Sequence, residues 1–146
     1  MKKFTQCICI LLVCVMMLST TAFAAETVES RASDYFAASS VYFWNTSGRN
    51  YEIWFDVTGK GTMAELGTSK IQVQRSTDNS NWSTVRTYYK EDYPQMIDTN
   101  TSRHGNCVTY TATAGYSYRA IVTLYAKNSS GGTGTLRTQT AILDLR

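Results

Sequence analysis

The sequence predicts an all-β protein, an antiparallel β-sandwich of about seven strands. Runs in which apolar residues take every second position recur along the chain, as in strands with one buried face. Clusters of Asn, Asp, Ser and Gly, which favour turns, separate these runs. The clearest unit is a hairpin over residues 70–89, in which a polar turn at 76–81 separates Ile71 and Val73 from Val85 and Tyr89. No segment has the period of a long helix.

The first 24 residues have the features of a secretory signal peptide. Lys2 and Lys3 precede an apolar run over residues 8–18, and the small residues at 22 and 24 fit a cleavage site. The apolar run is shorter than the roughly 20 residues that span a bilayer. We therefore expect a secreted, extracellular protein that is not held in the membrane once residues 1–24 are removed.

The remainder of the chain is expected to be a mobile leader over residues 25–34 and one sandwich domain over residues 35–146. Cys107 is the single cysteine after residue 24, so we expect no disulfide within the domain. The sequence has 14 Lys and Arg against 11 Asp and Glu, and Lys2 and Lys3 belong to the signal peptide. The domain is thus nearly neutral without a basic cluster, which argues against nucleic-acid binding.

The cleanest alternation lies in residues 51–57. Tyr51, Ile53, Phe55 and Val57 share one face, predicted to be buried, and Trp54 lies on the other. Glycines at 59 and 61 are expected to end this strand, a single helical turn to follow at 63–66, and residues 90–106 to form a long polar crossing between sheets. Other strands are expected at 35–44, 107–114, 116–127 and 135–143. This strand count is typical of an immunoglobulin-like sandwich.

Two segments resemble fibronectin type III and related immunoglobulin-like domains. The segment 75–85 is similar to their hairpin in which Ser-x-Asp precedes a tryptophan, here Trp82. The segment 114–120 is similar to the entry of their sixth strand, where a tyrosine hydroxyl bonds back across a corner. The resemblance implies that role for Tyr118, which is in phase with the buried residues of its strand.

Residues 59–89 are also similar to a family of small secreted proteins from Gram-positive bacteria that have no assigned activity. The shared motifs are Gly-x-Gly-Thr-Met at 59–63, Gly-x-Ser-Lys-Ile at 67–71 and the hairpin tryptophan Trp82. The resemblance implies secretion and an immunoglobulin-like fold, and it brings no catalytic residues.

His104 and Cys107 form the one pair that suggests catalysis, because a histidine base can activate a cysteine nucleophile. No third orienting group can be argued from the sequence, and a small residue at the start of a strand is ordinary. The pair would also supply only two ligands where zinc takes about four. We therefore expect no enzyme activity, no metal site and no cofactor. Asp78 is interpreted as a turn former, with calcium binding as the alternative.

Aromatic side chains that lie out of phase with the buried residues are the best candidates for function. Trp54, Tyr88 and Tyr125 have this phase and are expected to point outwards. With Arg86, Gln72 and Gln74, they would form an aromatic, amide-rich outer face suited to sugar rings or a protein partner. The sequence thus predicts a binding module for a glycan or surface protein. The alternatives are a structural protein that self-associates by its strand edges and a small Cys-dependent hydrolase.

Overall fold

The computed structural model describes residues 32–146, and most of these residues form β-strands. In chain order the elements are α1 (Ala32–Tyr35), β1 (Phe36–Ser47), β2 (Asn50–Ser76), β3 (Ser83–Tyr89), a 3₁₀ turn (Pro94–Met96), β4 (Ile97–Thr111), β5 (Ser117–Lys127), β6 (Thr133–Gln139) and β7 (Leu143–Asp144). Neither helical segment in residues 32–146 is long and apolar enough to cross a membrane. The predicted signal peptide lies outside the described residues, as does most of the predicted leader. The leader's last residues, from Ala32, are helical.

Strand β2 is the centre of the part of the chain that the structure describes. It is 27 residues long, and its pairing partners change along its length. Residues 50–58 lie between β1 and the end of β4, and these three stretches are the first limb. Residues 65–76 pair with β5 on one side, and on the other side residues 63–67 pair with the start of β4 and residues 70–75 with β3. Residues 63–76 form the second limb together with β3, β5, β6 and β7. Within residues 32–146 every pairing is antiparallel and the seven strands belong to one sheet, which confirms the predicted all-β antiparallel fold.

In the described residues the two limbs enclose one hydrophobic core. Ile53, Phe55 and Val57 of the first limb are fully buried, so the predicted phase of this strand is confirmed. They belong to the same apolar cluster as residues of the second limb such as Val73 and Val122. The sheet therefore curls so that one face of each limb is inside and the other outside, because alternate side chains of a strand point to opposite faces.

The sequence interpretation is wrong between residues 59 and 69, where neither a strand end nor a helical turn occurs. The backbone bends within β2 at Gly61, whose φ is +98°, and the pairing with β4 shifts register between Thr58 and Met63. Met63 and Leu66 are buried by this arrangement. Glycine tolerates the positive φ, so the strand continues through the bend and joins the limbs.

The inward phase of β3 also differs from the prediction. The pairing of β2 with β3 shifts between Val73 and Gln74, which leaves Val85 as an extra, bulged residue. A shift of one residue moves the following side chains to the opposite face. As a result Tyr88 is buried at 4% exposure, whereas Tyr89, predicted to be inside, is 47% exposed.

The segment 90–106 is a strand for much of its length rather than a polar crossing. β4 starts at Ile97, and residues 97–101 pair with residues 67–63 of β2. The sequence predicts a loop here because the segment is polar. It is polar because many of its side chains point to solvent, which is compatible with a strand. The last predicted strand is likewise divided, into β6 and the short β7.

The predicted role of Asp78 as a turn former is confirmed. Its carboxylate accepts hydrogen bonds from the backbone N–H groups of Ser80 and Asn81, each at 2.8 Å, and from the side chains of Ser76 and Asn81. These donors, with the backbone of Asn81 first, lower the pKa of Asp78 far below its usual value. Three of the donors bond to Oδ1 and one to Oδ2, so both oxygen atoms take part in the turn.

Thr68 offers a direct test of polar burial in the second limb. Its side chain is fully buried, and its Oγ1 has no hydrogen-bond partner among the described residues. Thr68→Val keeps the shape of the side chain and removes the unsatisfied hydroxyl, so we expect a gain of about 1 kcal/mol in the free energy of unfolding. Urea unfolding measures the gain. Thr123→Val, at a half-buried position of the same limb, is the control and should change little.

Candidate binding face

Three aromatic side chains lie together on the outer face of the first limb. Tyr42 and Trp44 of β1 alternate with inward residues, and Tyr42 is directly opposite Trp54 of β2. Trp44 is opposite Glu52, which places it diagonal to Trp54. Tyr42 is 44% and Trp44 59% exposed, and Trp54 is half-buried between its neighbours. We call these three residues, with Glu52 and Asp56, the aromatic face.

The carboxylates of Glu52 and Asp56 lie beside the aromatic rings of this face. The indole Nε1 of Trp54 donates a hydrogen bond of 2.8 Å to Glu52 Oε2, which fixes the plane of the ring. Asp56, two residues along the same face, is paired with Arg103 at 2.7 Å. The face therefore combines flat apolar surfaces with fixed hydrogen-bond acceptors. This is the combination that binds a sugar, whose C–H faces stack on rings while its hydroxyls donate to oxygen atoms.

The structure places the predicted site residues on different surfaces. Trp54 points outwards as predicted. Gln72, Gln74 and Tyr125 are half-buried and lie on the outer side of the second limb, away from Trp54. The ammonium group of Lys90 lies 4.2 Å from the centre of the Tyr125 ring. The predicted set is thus not one face.

Tyr88 is the clearest error in that set. The bulge at Val85 turns it inwards, and its hydroxyl donates a 2.6 Å hydrogen bond to the backbone oxygen of Thr109 across the core. Burial raises the pKa of Tyr88. Arg86 is on the same strand, and its guanidinium lies 5.2 Å from the centre of the Tyr88 ring. The guanidinium also donates a 3.1 Å hydrogen bond to the Tyr93 hydroxyl. Tyr88 and Arg86 therefore serve the packing of β3 rather than a face shared with Trp54.

Sequence reasoning missed Tyr42 and Trp44. Both alternate with Val41 and Phe43, which pack against the core, so their phase alone marks them as outward. The sequence does not reveal the pairing register of β1 with residues 50–58, and it is this register that brings Tyr42 next to Trp54.

His104 and Cys107 do not meet. Residues three apart on a strand point to opposite faces, and β4 pairs His104 with the inward Val57 but Cys107 with the outward Trp54. The His104 ring bonds to the Gln95 backbone oxygen at 2.9 Å. Burial, together with Glu52, raises the pKa of the Cys107 thiol, which disfavours the thiolate that a nucleophile needs. Within residues 32–146 no three His, Cys, Asp or Glu side chains are placed to hold a metal.

Fold and site together define a small antiparallel β-protein with an exposed aromatic face on one limb. No family model matches the chain, and neither does any curated protein. A solved structure that is similar is that of Spo0M, a sporulation control protein from Bacillus subtilis, with a TM-score of 0.42 and 10% identity. The match covers 72% of this chain and 48% of Spo0M, so the chain spans about half the length of that protein. Likeness at this level carries no argument about function.

Proposed function

We propose that the protein is a secreted, non-enzymatic binding module that recognises a glycan through the aromatic face. The observation that carries the proposal is the grouping of Tyr42, Trp44 and Trp54 on one outer surface beside two carboxylates. Single exposed aromatics are ordinary on protein surfaces. Here three aromatic side chains are neighbours on paired strands, and two of them are more than 40% exposed. The stability of the sheet does not require such a group of exposed rings.

The chemistry of the aromatic face favours a sugar chain over a folded protein. The aromatic face lies on a sheet surface, and its polar groups, Glu52 and Asp56, are acceptors able to take hydroxyl donors. Protein interfaces instead centre on a dry, tightly packed cluster enclosed by a rim. We therefore place the glycan first and a surface protein second.

We propose, further, that the fold is a variant of the immunoglobulin-like, fibronectin type III-like sandwich in which β2 runs through both layers. The corner made by Tyr118 and the tryptophan hairpin at Trp82 support this assignment. Export follows from the signal-like residues 1–24.

The double substitution Trp44→Ala, Trp54→Ala is expected to weaken glycan binding at least about tenfold, because each indole provides a stacking surface. Binding would be found on an array of neutral glycans and cell-wall fragments, and the affinity then measured by calorimetry. Tyr89→Ala is the matched control, since Tyr89 is 47% exposed on the second limb. Equal binding by the native protein and the double variant would reject the aromatic face.

A second candidate function is self-association through β1. This strand pairs only with β2 and its other edge is free in the described structure, so it could pair with the β1 of a second copy. Sedimentation velocity distinguishes the two functions, because a protein that remains a monomer at high concentration cannot be a strand-edge assembly.

A further inference from the structure

The outer side of the second limb carries basic side chains that are separated in the sequence. Lys70 of β2, Arg119 of β5 and Arg137 of β6 lie on adjacent strands, and we call them the central cations. Lys90 and Lys127 lie at one end of these strands.

Two acids on this side already have basic partners. Glu65 pairs with Lys127 at 3.2 Å and with Lys90 at 3.7 Å, and Asp144, opposite Ser117, pairs with Arg146 at 2.7 Å. The three central cations have no acidic partner within residues 32–146.

Between two of these cations lies a groove of about 320 Å³, lined by Arg119, Ile121, Arg137, Thr138 and Gln139. Ile121 is only 6% exposed although it stands outside the core cluster, and it supplies an apolar wall to the groove. Arg137 is opposite Thr123, four residues beyond Arg119 on β5. The two arginines are therefore separated by roughly 13 Å along the strand, at about 3.3 Å per residue.

Arg119 is held in position by its neighbours. Its guanidinium lies 4.4 Å from the Trp82 ring, and its Nε donates a 2.8 Å hydrogen bond to the side-chain oxygen of Gln74. Both contacts are made on one edge and one face of the planar group, which leaves its terminal N–H donors for another partner. A fixed guanidinium loses little freedom on binding and matches the two oxygens of a carboxylate or phosphate.

We propose that this groove is an anion-binding site, and that its ligand is an acidic polysaccharide. Arg119 and Arg137 bind carboxylate or phosphate groups on the chain, Lys70 adds a third positive charge, and the sugar rings between the anions lie against Ile121 and Gln139. Charge complementarity favours this occupant, because the central cations lack acids of their own. The site is on the opposite limb from the aromatic face and does not depend on it.

The test is the binding of two defined polymers at low salt, polygalacturonate for carboxylates and a phosphorylated mannan for phosphates, with unmodified mannan as the uncharged comparison. The native protein should bind at least one acidic polymer saturably, and added salt should weaken the complex. Arg119→Gln with Arg137→Gln should lower the affinity at least about tenfold, since two charge-assisted contacts are lost. Binding of one polymer alone identifies the anion.

Arg49→Gln with Lys60→Gln is the matched control, because it removes the same charge from exposed positions away from the second limb. Arg137→Gln alone, at an exposed residue, should lower the affinity without affecting the fold. Failure of the native protein to bind either acidic polymer would overturn the proposal, as would an equal loss of affinity in the control pair. Neutral-glycan binding through Trp44 and Trp54 is measured separately and should survive the arginine substitutions.

Discussion

Gly67→Ala is expected to destabilise the protein by about 4 kcal/mol, a large share of the 5–15 kcal/mol that stabilises a typical domain. Two causes act together. The φ of Gly67 is +152°, which side chains rarely adopt. A Cβ at this position would also collide with the backbone oxygen of Met96 and lie 3.0 Å from the His104 ring. Chemical denaturation followed by circular dichroism measures the loss.

Gly61→Ala separates strain from collision. Gly61 also has a positive φ, +98°, on the same strand, but a Cβ there would have no atom within 4 Å. It should therefore show backbone strain alone, about 1–2 kcal/mol. If both variants lost the same stability, the close approach of the 3₁₀ turn to β2 would not be the reason for glycine at 67.

The close approach at Gly67 illustrates what local sequence can and cannot predict. A glycine followed by polar residues resembles the end of an element, and the interpretation of residues 59–69 as a break rests on that signal. In the structure, Leu66 and Thr68 on either side are buried and the strand continues. Pairing with β4 and β5 overrides the local preference, and those partners lie roughly 30 and 60 residues further along the chain.

The inner face of the first limb could be predicted because its period is uninterrupted. Ile53, Phe55 and Val57 alternate without a bulge, and all three are fully buried. The same reasoning failed for Tyr88 because a single extra residue, Val85, reverses the phase of β3. Bulges leave no reliable mark in composition, so a prediction based on alternation is only as good as the register it assumes.

The candidate surfaces were predictable in part for a related reason. Trp54 could be assigned to an outer face from its own strand, but Tyr42 joins it through pairing with β1. Arg119 and Arg137 are far apart in the sequence and become neighbours of one groove only when β5 and β6 pair. The face on which a side chain lies can be inferred from the alternation of its own strand. Which side chains of different strands become neighbours can be stated only when the strand pairing is known.

The role of Tyr118 was inferred from a resemblance and is confirmed by the structure. Its ring is fully buried, and its hydroxyl donates a 3.0 Å hydrogen bond to the Thr113 backbone oxygen and accepts one of 2.9 Å from the Thr113 N–H. One side chain thereby satisfies both backbone groups of Thr113 and fastens the turn before β5 to the core.

Tyr118→Phe is expected to lower the free energy of unfolding by about 2 kcal/mol, because it removes two hydrogen bonds and leaves the packing of the ring intact. Tyr116→Phe is the control, since Tyr116 lies on the same turn with its ring 6.4 Å from that of Tyr118 and its hydroxyl has no hydrogen bond among the described residues. Urea unfolding gives the stability, and hydrogen exchange at the Thr113 amide reports the corner directly. Faster exchange in Tyr118→Phe alone is the expected pattern, because only that hydroxyl holds the Thr113 amide. Unchanged exchange would mean that the turn is held by β5 and β7 without the tyrosine.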